Sequence, residues 1–343
     1  MENLSEARSA IEIDAGGRIV LPAFVDPDIV LIPGRDDQGR SSVATLSKRR
    51  LEDGGKAVAE DAVRHGVLAV GASTRGTADE RDIRKLLTVQ KSFQARPLRI
   101  RSVFAPDSDA LSLCRDPADL AISWATGIVA RRLAGLLELC LPEHDSDPAY
   151  ALLGSLARAA VSEGFIFRVR SPRPLTTTAQ RWVAGSGSIA VVAPGGDGEP
   201  LPAFARSAGV WVLTAADILN HAVSTTHASE LLNEGCPVAL ASGYPGSGNV
   251  PCNPQYLLHL ASSRLGMQTN EAITALTWNA ACSLRMSSVA GSIEPGKQAD
   301  LTIFDVRDYR DLALRPGCSD VHMVIRAGRP VYRRAGLLPA WLW

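Results

Sequence analysis

The sequence predicts an α/β fold, a (β/α)8 TIM barrel with a small, truncated β-sandwich domain formed by both chain ends. Two patterns predict it. Short β-branched runs alternate with longer amphipathic stretches through most of the 343 residues, which is how repeated βα units around a parallel sheet appear in sequence. Strand-like segments without intervening helices are confined to the two ends. A chain of this length accommodates one large barrel with an appendage. The boundaries follow as 1–20 and 291–343 for the small β-domain and 21–290 for the barrel.

Each element has a local reason. Ile11–Val20 reads as a short strand or a hairpin about a Gly16-Gly17 turn. The barrel strands are Ala23–Leu31, Val67–Ser73, Leu98–Phe104, Gly135–Leu141, Phe165–Ser171, Ser188–Ala193, Val210–Thr214 and Pro237–Ser242. Between them lie the amphipathic stretches Gly55–His65, Asp79–Phe93, Pro148–Glu163 and Ala216–Asn233, with Gly66, Gly164, Gly209 and Gly235 as helix C-terminal signals. After the eighth strand a helical region runs from Pro254 to Leu284, and the rhythm then returns to strands at Asp300–Asp305 and Val321–Ala327. Strands at both termini are positioned to build one small sheet.

Composition narrows the function classes. Thirty-six basic residues balance thirty-six acidic ones, so no global field recruits nucleic acid or an anionic membrane. Hydrophobic residues at 46% and charged residues at 21% are ordinary for a folded globular chain. No apolar run approaches the ~20 residues of a membrane span. The six cysteines are scattered without C-x-x-C spacing, and Met1-Glu2-Asn3-Leu4-Ser5-Glu6 is polar where a secretion signal would be apolar. Reduced thiols and a cytoplasmic location are expected.

Four segments carry a resemblance. Ile13 to Pro27 (IDAGGRIVLPAFVDP) is similar to the amidohydrolase approach to barrel strand one, and Gly291 to Asp305 (GSIEPGKQADLTIFD) to that superfamily's return into its small β-domain. Pro237 to Ser247 resembles strand eight of the imidazolonepropionase-like branch, and Thr277-Trp278-Asn279-Ala280-Ala281 its Thr-x-Asn-Ala-Ala. The resemblance implies the barrel and a hydrolase acting on cyclic amides or other non-peptide C–N bonds. Its members carry a longer stretch before the barrel, so the small sheet here is expected to be reduced.

The resemblance also implies a divalent metal, held by a His-x-His on strand one, further imidazoles and a strand-eight aspartate. Here Asp28 and Val30 replace the histidine pair and Gly243 replaces the aspartate. Valine and glycine side chains offer no lone pair. Of the six histidines, His65, His221, His227 and His259 fall in helical stretches and His322 in the terminal sheet. Only His144 follows a strand's C-terminal end, where barrel chemistry is done. A new mixed site of Asp28, Glu143, His144 and Asp145 is weighed and set aside, because adjacent loop residues rarely converge on one ion. No metal position and no cofactor are therefore expected.

Asp28 and His144 are the candidate catalytic groups, although Asp28 reads first as a hydrogen-bonded polar residue at the mouth and second as a general base. Arg35, Arg75, Tyr244 and Asn249 are the candidate ligand-binding groups, assigned to loops beyond the strand C-termini. Arg35 lies where the resembling branch places an arginine for the substrate carboxylate. Cys140 reads as packing rather than as a nucleophile. If Ser171 marks the old histidine position of strand five, Arg168 and Arg170 point outward, towards a carboxylate partner in the helix layer. The expected function is a non-hydrolytic binding or pseudoenzyme member with a small polar or anionic ligand, and a homodimer is the default assembly. The alternatives are a C–N hydrolase with a rebuilt site and a metal-free lyase or isomerase.

Overall fold

The computed structural model describes residues 12–32, 43–77, 79–93, 97–106, 116–142, 146–193, 209–220, 223, 225–244, 252–334 and 336–337. Two sheets form. The strands are β1 (Ile19–Pro22), β2 (Phe24–Ile29), β3 (Val67–Ser73), β4 (Arg99–Phe104), β5 (Leu136–Cys140), β6 (Ile166–Arg170), β7 (Ala190–Val192), β8 (Val210–Thr214), β9 (Val238–Ala241), β10 (Leu301–Phe304), β11 (Val321–Arg326), β12 (Arg329–Arg333) and β13 (Gly336–Leu337). Strands β2 to β9 pair in sequence order as an eight-stranded sheet, and every pair is parallel. Each barrel strand lies within its expected span, β3 and β8 matching it at both ends and the others being shorter.

The barrel closes through side-chain and single backbone bonds between its first and last strands. The Val30 amide donates to the Tyr244 carbonyl at 2.5 Å, and the Ser242 amide donates to the Asp26 carboxylate at 3.2 Å. Helices follow the strands where caps permit. Ser47, Asp79, Ser146, Thr176 and Asn253 each accept a backbone N–H in the first turn of a helix, satisfying donors the helix leaves unpaired. Gly66 and Gly164 follow the helices Lys48–Arg64 and Asp147–Ser162 with φ of +84° and +94°. The expected stretch Ala216–Asn233 is two helices, Ala215–Leu219 and Thr225–Asn233. The region from Pro254 to Leu284 is three: Pro254–Arg264, Thr269–Leu276 and Trp278–Ser283.

The last of these helices plugs the bottom of the barrel. Ala280, Ala281, Leu284 and Met286 pack against Val25, Ala69, Val103, Leu136, Val192, Val212, Ala239 and Ala241. Asn279 fixes the plug by donating to the Val238 carbonyl at 2.8 Å. Alanine and glycine on the barrel wall leave room for it. The outward faces of the same strands join the helices in the main core, with Phe167, Val169, Leu213 and Leu240 among them.

Both chain ends meet in an antiparallel sheet of order β1-β10-β11-β12-β13. β1 pairs with β10, Ile19 opposite Phe304, while Gly16 and Gly17 form the turn before it. This joins Val20 to the far end of the chain rather than to a local hairpin partner. The sheet docks on the barrel through the Ala23 amide, which donates to Asp300 O at 2.9 Å, and through Phe24 and Phe304, whose rings lie 5.6 Å apart.

One glycine tests the packing. A Cβ on Gly71 would lie 2.2 Å from the Pro27 carbonyl and 2.7 Å from Leu284 Cδ2, so backbone would have to move. Gly71→Ala is expected to lower stability by about 2 kcal/mol or more, measured by urea denaturation against a Gly54→Ala control, where a Cβ meets nothing within 4 Å.

Candidate ligand-binding site at the barrel mouth

Above the apolar plug the barrel interior changes character. β5 and β6 pair with Glu138 beside Arg168 and Cys140 beside Arg170. Alternation along β5 places Glu138 on the same face as the inward Leu136, and along β6 it places Arg168 and Arg170 on the face opposite Phe167 and Val169. Both arginines therefore enter the barrel. This corrects the expectation that they face the helices. The register was off by one, because Ser171 lies beyond the strand and its Oγ is used locally, bonding to the backbone of Arg173. Their partners are carboxylates, as expected of buried guanidinium groups, but these come from the opposite wall and the adjacent strand.

The result is a cluster of five charges. Arg168 donates from Nε to Glu138 Oε2 at 2.8 Å, from Nη2 to Asp28 Oδ1 at 2.8 Å and from Nη1 to the Pro27 carbonyl at 2.7 Å. Arg170 donates to Glu138 Oε1 at 2.8 Å and to Asp28 Oδ1 at 2.8 Å. Arg75, beyond the end of β3, donates from Nη1 to Asp28 Oδ2 at 2.9 Å. Arg168 and Asp28 are fully buried at 0% side-chain exposure, whereas Arg75 and Arg170 keep 24% and 18% at the solvent side. The cluster thus has a sealed floor and an accessible upper edge.

Electrostatics keep it ionised. Burial alone would raise the pKa of Asp28, but the guanidinium groups of Arg170, Arg75 and Arg168 outweigh it and hold the carboxyl well below its usual range. Glu138, with burial opposed by Arg170 and Arg168, is drawn down to about 2. Arg170 is held cationic by Asp28 and Glu138 against the cost of burial. Two residues away, Asp26 behaves oppositely. It is buried without a cation and is pushed up to about 6, even though the backbone amides of Asp28 and Ser242 donate to it. Cys252 Sγ lies 3.6 Å from it, and burial with that carboxylate raises the thiol.

The structure brings together only part of the expected site. Asp28 and Arg75 are bonded to each other. Tyr244 stands at the end of β9, where its backbone helps close the barrel and its ring packs on the main core, with no hydrogen bond to the five charges. His144, Arg35 and Asn249, together with Glu143, Asp145 and His221, lie outside the described residues. His65 caps the C-terminus of the helix Lys48–Arg64, His227 and His259 lie in helices and His322 in the terminal sheet. Among the described residues no group of three or more His, Cys, Asp or Glu could hold a metal ion, and no helix is long and apolar enough to cross a membrane. Glu138, Arg168 and Arg170 were missed as site residues. The available signal was opposite charge at matched positions on neighbouring strands.

Two outcomes test the cluster. Arg168→Met removes donors from three buried acceptors and is expected to cost about 3 kcal/mol, measured by chemical denaturation. Because the folded-state pKa values of Asp28 and Glu138 are depressed, their contribution is complete above the ordinary carboxylate range and is lost as pH falls from 4.5 towards about 2. Glu138→Gln, with one fewer proton to take up, is expected to show a shallower fall of stability over that window. An equally steep fall would show that the pair does not govern acid stability.

The fold and the segments at its strand ends have counterparts among known proteins. The amidohydrolase family model matches residues 171–331. The chain is 31% identical to an imidazolonepropionase of Solibacter usitatus over 359 aligned residues, covering 94% of this chain and 84% of that protein. It is 25% identical to an imidazolonepropionase of Porphyromonas gingivalis, covering 94% and 83%. In structure it is similar to a 5-methylcytosine deaminase of Klebsiella pneumoniae, with a TM-score of 0.73 over 96% of this chain and 90% of that one at 18% identity, a likeness of fold. The shared barrel, the terminal sheet and identity sustained over nearly the whole length place this chain in the amidohydrolase superfamily, in its imidazolonepropionase-like branch.

Proposed function

We propose that this member is a pseudoenzyme with respect to metal-assisted hydrolysis and uses the barrel mouth to bind a small polar or anionic ligand. The observation that carries the reading is the saturation of Asp28. Of the positions that match the superfamily's strand-one and strand-eight metal ligands, Asp28, Val30 and Gly243, only Asp28 has a donor side chain, and both its oxygens are taken by guanidinium groups. A divalent cation there would sit against three positive charges and would have to displace them from a carboxylate in a low-dielectric interior. The residues present do not fit the metal.

The kinetic consequence is large. A metal supplies an activated water and a Lewis acid for the developing oxyanion, together worth several kcal/mol of barrier. Each ~1.36 kcal/mol is about tenfold in rate. Hydrolysis by that route is therefore reduced by many orders of magnitude, while the mouth keeps donors suited to ligand binding. Elemental analysis of protein purified without chelator, followed by assays on imidazolones and other cyclic amides with and without added zinc, tests this. No stoichiometric metal and no turnover are expected. Metal-dependent turnover that disappears in Asp28→Ala would instead establish a C–N hydrolase with a rebuilt site.

A further inference from the structure

Away from the mouth, the helix layer carries a second concentration of charge. The helix Glu80–Ser92 buries Ile83, Leu86, Leu87 and Gln90 on one face, which turns Arg81, Arg84, Lys85 and Thr88 to the opposite one. A groove of about 600 Å³ lies over that outer face and reaches Lys48, in the first turn of the helix Lys48–Arg64, and Arg131, in the turn ahead of β5. Its lining residues all belong to the described part of the chain. Pro33 to Ser42, the segment before Val43, holds Arg35 and Arg40 against Asp36 and Asp37 and so brings no net charge.

The cations of the groove exceed the carboxylates set against them. Asp79 is engaged with its own helix, its Oδ1 accepting from the amides of Arg81 and Asp82 at 2.8 and 3.2 Å. Arg84 lies 3.7 Å from Glu80. Lys85 Nζ donates to the carbonyls of Val43 and Leu46 at 2.5 and 2.7 Å, partners that fix the ammonium group in place without offsetting its charge. Lys48, Arg81 and Arg131 have no side-chain hydrogen bond or ion pair among the described residues. Of the lining carboxylates this leaves Asp82, which is buried in the first turn of its helix, facing four cations.

We propose that this groove binds the phosphate chain of a small molecule, with Arg81 and Arg131 as its bidentate contacts and Lys48 and Lys85 as supporting charges. An unengaged guanidinium group presents paired N–H donors that match two phosphate oxygens. Arg81 to Thr88 spans about 10 Å along the helix axis, more than one phosphate covers, so a chain of two or three phosphates suits the groove better than a single one. Ala44 is the only apolar residue of the lining, and no aromatic ring stands there. The wall therefore offers no surface on which a base stacks and little to hold an apolar tail, and recognition falls on the phosphates. This site is separate from the mouth and does not rest on the reading proposed for it.

The experiment titrates the intact chain by calorimetry with inorganic triphosphate, orthophosphate, citrate and a ten-nucleotide oligothymidylate, at neutral pH and matched ionic strength, with a chelator present. Triphosphate is expected to bind about tenfold more tightly than orthophosphate or citrate. Arg81→Gln and Arg131→Gln are each expected to weaken triphosphate by about tenfold, the loss of one charge-assisted hydrogen-bond pair. Both residues are exposed, so the variants keep the fold, and melting temperatures read in the same samples are expected to stay at the wild-type value. Arg310→Gln, in an exposed pair with Asp308 elsewhere on the surface, and Arg75→Gln, at the mouth, are expected to leave triphosphate binding unchanged. Loss of binding in Arg75→Gln with retention in Arg81→Gln places the anion at the mouth and overturns the inference. No binding of triphosphate, equal binding of citrate, or full binding by both groove variants overturns it as well. Tighter binding of the oligonucleotide than of triphosphate, with the same dependence on Arg81 and Arg131, replaces it with a nucleic-acid surface.

Discussion

The structure depends on keeping charge inside a barrel. Asp28 and Glu138 are buried on opposite parts of the wall, and an ionised carboxylate taken out of water costs several kcal/mol unless its oxygens are paired. Arg168 answers both at once from β6, and its Nη1 donates to the Pro27 carbonyl on β2. One side chain therefore ties the first, fourth and fifth barrel strands. The positive charge at this level of the barrel is covalently attached to β6 and is bonded to groups on three strands.

The rest of the interior is arranged around that layer. Below it, small wall residues such as Ala69, Ala239 and Ala241 admit the helix Trp278–Ser283, which excludes water from beneath the charges. Beside it, Asp26 bonds the Ser242 amide and so joins the two strands that complete the barrel. Asp26 lacks an arginine, which is why its pKa moves up to about 6 while that of Asp28, two residues on, moves down. The two aspartates divide the work by environment. One closes the barrel through backbone amides, and the other anchors the cations that face the solvent side. At the top, Arg75 and Arg170 keep partial exposure on the solvent side of the cluster.

The fold was legible because it rests on local regularities. Eight β-branched runs and their spacing located every barrel strand, since period and turn chemistry are properties of short segments. The meeting of the two chain ends was readable, but not its register: Ile19 to Pro22 pairs antiparallel with Leu301 to Phe304, and alternation within short strands does not say which residues stand opposite one another.

The amino-acid sequence by itself determined the βα order, the union of both ends in a second sheet and the presence of Asp28 and Arg75 at strand C-termini. The tertiary structure alone decided which way β6 faces and hence what those side chains do. Arg168 and Arg170 alternate with Phe167 and Val169, so either pair satisfies the period of a strand, and a shift of one residue exchanges the faces. The choice is made by partners distant in sequence. Asp28 lies 140 residues from Arg168 and Glu138 lies 30 residues from it, and only closure of the barrel brings both carboxylates within reach. A buried guanidinium group is tolerable only where such partners converge, so its direction is a property of the assembled barrel and not of the strand that carries it.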